Sequence, residues 1–337
     1  MIDLRSDTVT RPTPGMLKAM CETEVGDDVF GEDPAMNRFQ EKMAEMFGME
    51  AALFVPSGTM GNQLCVHLLT KPGDEVIIDE TGHIFNYESA AAASLSGVQL
   101  RPLKGKYGKL NPELIESAIR TRNEWDPHTR VIALENTTNK GGGAFYTEDE
   151  LLDINNVAVK NGLFLHLDGA RIWNAMVASD LSPKFFGSIS DTISICFSKG
   201  LGAPVGSMIL ADQELIRQAR RIRKMWGGGM RQIGLLAAAA DFAVDEHYSL
   251  LKEDHRRAKE FASAVSENKS LSIDLSSVFT NIVLFDVVNG TVDGVLKQLK
   301  GENIEMVQFG PSTIRATFHH QIDDSDLKFV IKAIKKV

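Results

Sequence analysis

The chain has 337 residues, 43% of them hydrophobic and 24% charged, and its 36 Lys+Arg against 45 Asp+Glu give a net charge of −9. That length suits two domains, or one large domain with a smaller appendage, around a sizeable core, and the acidic balance argues against general nucleic-acid binding. Three cysteines without paired spacing exclude a disulfide framework, the opening MIDLRSDTVTRP carries no apolar leader run, and stretches such as 235-LLAAAADFAV-244 are too short to span a bilayer, so the expectation is a cytoplasmic protein with no membrane partner.

In chain order, the first clear element is a helix. Asp33 reads as its N-cap, Pro34 as its first residue and Gly48 as its end, with Met36, Phe39, Met43, Met46 and Phe47 on one face as core or subunit contact. The apolar run 51-AALFV-55 follows, then Pro56-Ser57-Gly58-Thr59 and a helix over 62–69. Further strand-like runs lie at 75–79, 98–103, 130–135, 163–167 and 192–197, most of them separated by helical stretches that begin at signals such as Asn111-Pro112 and Thr147. Residues 212–268 read as helical almost throughout. Beyond them, strands at 281–287, 304–307 and 313–318 alternate with helices at 291–300 and 324–336. The pattern predicts an α/β fold: a large domain over 1–250 with a mostly parallel sheet covered by helices, and a small α+β C-terminal domain over 251–337.

In such sheets ligands bind beyond the carboxyl ends of the strands, so the residues that follow each strand carry the interest. After 51–55, Ser57-Gly58-Thr59 opens a helix whose free N–H groups suit a phosphate, although the same residues are ordinary turn formers. After 163–167 come Asp168 and Arg171. They form either a buried structural pair, or two separate groups facing a cationic ring nitrogen and a carboxylate. After 192–197 comes Lys199, followed by the glycine-rich Gly200-Leu201-Gly202 turn. An amine there suits Schiff-base chemistry, and the glycines admit a flat cofactor close to the backbone. The order GxxxxGK[ST] is absent and no strand carries a clean GxGxxG, which argues against nucleotide sites. An acid and a lysine at the ends of two apolar strands, with an anion site upstream, are the set that pyridoxal phosphate (PLP) needs.

The chain resembles the L-threonine aldolases, PLP enzymes of the aspartate-aminotransferase-like fold type I. The likeness rests on 3-DLRSDTVTRP-12, 26-GDDVFGEDP-34, 57-SGTMGN-62, His83, 168-DGARIWNA-175, 198-SKGLGAPVGS-207 and 223-RKMWGGGMRQ-232. It implies retro-aldol cleavage of L-threonine, L-allo-threonine and related β-hydroxy-α-amino acids to glycine and an aldehyde. Another fold-type-I reaction, β-elimination or transamination, is the alternative. Lys199 would form the Schiff base, Asp168 would keep the pyridine nitrogen protonated and His83 would stack on the ring. Gly58, Thr59 and Arg231 would hold the phosphate, while Ser6, Arg171 and Arg315 would grip the substrate carboxylate. The base is left open among His83, His128 and an ordered water. The resemblance also implies a dimer at least, and a tetramer, with active sites built between subunits.

The chain departs from the family where 135-ENTTN-139 has Thr138 in place of a histidine, at Phe30, and at Trp226. His128 is only a loose counterpart of a second family histidine. Other residues read more plainly. His166, two positions before Asp168 on the same strand face, is a packed support and not a catalyst. His247, His255, His319 and His320 have no metal-ligand constellation, so no metal is expected. The basic run Arg217–Arg231 suits a helix solvated on one face better than a nucleic-acid patch.

Overall fold

The computed structural model describes residues 1–337. Seven strands form the central sheet in the order Ala51–Val55, Ser207–Ala211, Thr192–Cys196, Phe164–Gly169, His128–Glu135, Asp74–Asp79, Gln99–Leu103. Every neighbouring pair is parallel except the two that involve Ser207–Ala211, which runs against both its neighbours. That strand was not foreseen. The five residues SMILA sit directly behind the glycine-rich turn and are too few to announce a direction reversal.

Alternate residues of each strand supply the two faces. Ile132 and Leu134 enter one apolar core with Met36, Phe39 and Ile193, whereas Val131 and Ala133 enter a core on the other face with Val66 and Val76. Helix Pro34–Phe47 covers the first face. It starts as expected, with Asp33 Oδ1 accepting from Met36 N at 3.0 Å, and ends at Gly48, whose φ of 66° suits glycine. Helix Gly58–Leu69 lies over the second face, so Asn62 reaches the His166/Asp168 side of strand Phe164–Gly169.

The C-terminal unit has its own core, drawn from Phe261, Phe285, Ile314 and Val330 among others. Its antiparallel sheet has the order Val307–Gln308, Thr313–Thr317, Ile282–Val287, Leu271–Ser272. The expected strand over 304–307 is split. Ile304–Glu305 pairs in parallel with Ile2–Asp3, Met306 breaks the run, and Val307–Gln308 joins the other sheet. The N-terminal arm is therefore sewn onto the small domain, and Leu4 is buried in its core. Within helix Leu251–Ser266, Leu251 packs in the large core and Ala258 in the small one. No helix is long and apolar enough to cross a membrane.

Candidate active site

Parallel strands deliver their last residues to one edge, and there the sheet register sets Glu135 beside Asp168, with Asp168 beside Ser194 on its other side. Asp168 is buried. Its Oδ2 accepts from Asn62 Nδ2 at 2.8 Å and its Oδ1 from Ala170 N at 3.0 Å. Asn62 also donates to Glu88 Oε1 at 2.8 Å, so one amide group bridges two carboxylates. Its carbonyl oxygen can only accept, which makes His166 Nε2, 3.3 Å away, the donor. His166 Nδ1 then accepts from Thr192 Oγ1 at 2.9 Å. Burial pushes the His166 pKa down to about 4, in keeping with this neutral tautomer. His166 is thus a buried prop that fixes Asp168 through Asn62.

The turn after Asp74–Asp79 brings in His83. Its ring Nδ1 lies 2.8 Å from Glu88 Oε1, and its backbone N–H donates to Glu135 Oε2 at 2.8 Å. Burial disfavours the imidazolium, but the hydrogen bond to Glu88 and the charge of Asp168 outweigh it and raise the pKa. Glu88 is buried and also accepts from Gln63 Nε2 at 2.6 Å. Glu135 is buried too. It accepts from Asn139 N at 2.8 Å, and burial with the nearby Asp168 charge pushes its carboxyl up to about 7.

Arg171 does not pair with Asp168. Its Nε and Nη2 form a two-pronged ion pair with Asp7 at 2.8 and 2.7 Å, both side chains being buried. Burial alone would raise the Asp7 pKa, but Arg171, with help from the Lys199 charge, holds it down at about 2. Arg315, on strand Thr313–Thr317, packs its guanidinium 4.4 Å from the Phe309 ring centroid and donates to Asn139 Oδ1 and Arg5 O, both at 2.8 Å. Burial and the Arg171 charge lower its pKa to about 10. Its Nε is buried without a hydrogen-bond partner, as are the side-chain polar atoms of Asn136 and Thr137 beside Glu135. Ser6 caps the short 3-10 helix Asp7–Val9, its Oγ accepting from Thr8 N at 3.2 Å.

Lys199 lies in the turn after Thr192–Cys196, half-buried, and close enough for its charge to act on both Asp7 and His83. Ser57 caps helix Gly58–Leu69 through Met60 N, leaving the Gly58 and Thr59 amides at its open end. A Cβ on Gly58 would meet Cys196 Sγ at 2.8 Å, so the close approach there requires glycine.

Two expected residues are not brought to this edge. His128 begins the strand that Glu135 ends, about 23 Å away at roughly 3.3 Å per residue, and its Nδ1 pairs with Asp74 at 3.4 Å. It therefore stands at the opposite edge of the sheet and is corrected out of the site this chain forms. Arg231 is exposed and pairs with Asp27 at 2.9 Å, so within the chain its guanidinium is committed to that carboxylate and not to an anion at the Gly58–Thr59 helix end.

Residues 3–289 match the β-eliminating lyase family. The chain belongs to that family. It is 41% identical to the low-specificity L-threonine aldolase 1 of Arabidopsis thaliana over 99% of this chain and 96% of the relative. It is also 38% identical to the alanine racemase TOXG of Cochliobolus carbonum, over 95% of this chain and 83% of the relative. The threonine aldolase structure from Leishmania major superposes with a TM-score of 0.87 over 100% of this chain and 99% of that one, at 22% identity, which establishes the fold-type-I architecture.

Against that family background, the residues that sequence reasoning missed are Asp7, Asn62, Glu88 and Glu135. Three of them lie inside segments already singled out, 3–12, 57–62 and 135–139, but their partners sit far along the chain. Glu88 lies five residues after His83, just past the short helix His83–Asn86, and nothing in the linear pattern links the two.

Proposed function

We propose that the protein cleaves β-hydroxy-α-amino acids, L-threonine and L-allo-threonine among them, to glycine and an aldehyde, with PLP as cofactor. The observation that carries this reading is one sheet edge where Lys199 and a propped Asp168 lie beside two buried guanidiniums. The donor set fits PLP: an amine, a buried carboxylate for the ring nitrogen, and the open helix end at Gly58 and Thr59 for the phosphate. Orphaned polar atoms on Asn136 and Thr137 give further anchoring at the same edge. When bound, the cofactor supplies an electron sink for the pair released as Cα–Cβ breaks.

The chain's own residues do the rest. Arg171 keeps Nη1 and Arg315 keeps Nε for the substrate carboxylate, since their other donors are largely committed to Asp7, Asn139 and Arg5. Ser6, beside Asp7, lies at the rim of this clamp. Fixing the carboxylate sets which bond at Cα is aligned for cleavage. His83 is the group that takes the β-hydroxyl proton: Glu88 holds its Nδ1, leaves Nε2 to accept, and stabilises the imidazolium that results. Asn62 and Ala170 both donate to Asp168 and fix the carboxylate that would face the ring nitrogen. Phe30 is exposed beside Asp27 of the Asp27–Arg231 pair, and this apolar side chain supports a second copy covering that side, where Arg231 would meet a phosphate.

The test is an absorbance spectrum of the purified protein with and without PLP, then a product assay on threonine, allo-threonine and alanine. Glycine with acetaldehyde supports the reading. Ammonia with a keto acid, or D-alanine without aldehyde, overturns it. Lys199→Ala is expected to abolish both the visible absorbance and the aldehyde.

A further inference from the structure

Three consecutive carbonyls in the turn that carries Lys199 are each taken by a different part of the chain. Lys199 O accepts from Thr10 Oγ1 of the N-terminal arm at 3.2 Å. Gly200 O accepts from His320 Nδ1 of the small domain at 3.2 Å, and Leu201 O from His247 Nδ1, at the end of helix Gly234–His247, at 2.8 Å. Because a carbonyl only accepts, both histidines carry their proton on Nδ1. Their rings lie 4.8 Å apart. The turn is shaped to this pair: Gly202 has φ of 79°, and a Cβ there would fall 2.3 Å from His320 Cε1. His320 Nε2 is buried without a partner, so the ring spends its one proton on the turn.

The same small-domain segment carries Arg315 five residues earlier, on the strand that leads into His320. Arg315 binds Arg5 O, and Gln321 exchanges hydrogen bonds with the backbone of Arg11 at 3.1 and 2.7 Å. Arm, small domain and lysine turn are therefore braced against one another through side-chain-to-backbone bonds. Neither solubility nor core packing calls for a histidine at this place; an apolar residue would fill the volume without donating.

We propose that His320, with His247 behind it, is a positioning residue that holds the Lys199 turn in register with Arg315, so that the amine and the carboxylate clamp share one frame. The inference rests on Lys199 being the amine of the reading above. It extends that reading by making the small domain a determinant of where the amine points. A geometric displacement of an ångström at a reacting group is enough to cost orders of magnitude in rate, so a strut of this kind has a measurable effect.

The test compares His320→Ala, His320→Asn and His320→Gln with the unsubstituted protein. Asn places an amide N–H where Nδ1–H lies, whereas Gln places it near Nε2. Three readouts are taken: melting temperature, the rate of borohydride-trapped labelling at Lys199 after PLP is added to cofactor-free protein, and kcat and KM for threonine. The expected result is labelling slowed about tenfold and kcat lowered about tenfold in Ala and Gln, with most of both recovered in Asn. If Ala does not fold, the Asn and Gln pair decides alone. Equal labelling and kcat in Asn and Gln, or unchanged values in a folded Ala variant, overturn the proposal while leaving the cleavage reading intact. No label at Lys199 in the unsubstituted protein overturns the cleavage reading and this inference with it.

Discussion

The floor of the proposed site and its proposed clamp are built by different means. Gly58, Asp168 and Lys199 each stand at or within a few residues of the end of a strand in one sheet, so the sheet register alone brings them together. Arg171 and Arg315 become a clamp only when the N-terminal arm and the small domain close over that edge, through contacts such as Arg315–Arg5, which spans 310 positions. The floor is a property of local pattern, whereas the clamp is a property of tertiary closure. Substitutions in the floor should therefore damage turnover with little loss of fold, and substitutions in the clamp should damage both.

The largest expected effect is on the floor. Asp168→Asn keeps the volume and a hydrogen-bonding group but removes the charge that a cationic ring nitrogen requires. Turnover of threonine is expected to fall about 10³-fold, the scale of losing a preorganised electrostatic partner in a buried site, while the melting temperature changes little. Unchanged kcat would remove Asp168 from this role.

Next comes the clamp. Asp7→Asn leaves the Arg171 guanidinium buried without its counter-charge, which costs about 3–5 kcal/mol when one partner of a buried pair is removed. Thermal unfolding of the cofactor-free protein should show it, with a raised KM for the amino acid. The pair also predicts an acid limb. The Asp7 pKa is depressed in the folded chain to about 2 from 3.8, so its contribution is present above about pH 4 and fades as pH falls toward 2. That limb should be absent from the Asp7→Asn variant. A variant as stable as the parent would show that the arm closes without this pair.

The same division explains what could be read from the chain alone. The strand-end residues Gly58, Asp168 and Lys199 were legible, because near-continuous apolar strands ending in polar residues are visible in a linear pattern. Arg171 was legible as a residue but not as a partner: its carboxylate, Asp7, comes from the other end of the chain, and no periodicity links the two. His128 was misplaced for a related reason. It entered only as a loose counterpart of a second family histidine, and that resemblance says nothing about which end of the strand ending in Glu135 the residue occupies. The reversed strand Ser207–Ala211 escaped because direction is set by the pairing on both its sides and not by its own five residues.

The smallest effect sharpens the boundary between the two regions, because Glu135 touches both. It lies beside Asp168 in the sheet and accepts from Asn139, which in turn accepts from Arg315. Its folded pKa is raised to about 7 from 4.5, so the folded state binds a proton that the unfolded state has already released. The contribution of Glu135 to the stability of the cofactor-free protein is therefore fullest below about pH 4.5 and declines as pH rises through 7. Glu135→Gln cannot ionise; its amide oxygen accepts from one of the backbone N–H groups of His83 and Asn139, but its NH2 faces the other and leaves that N–H without an acceptor. The variant should be less stable than the parent at pH 5 because of that lost hydrogen bond and should regain ground as pH rises to 8, read as urea midpoints at the two pH values, with kcat altered less than about tenfold. Parallel pH profiles for parent and variant would mean that Glu135 is ionised throughout. The floor and clamp would then share a buried charge where a shared proton is expected.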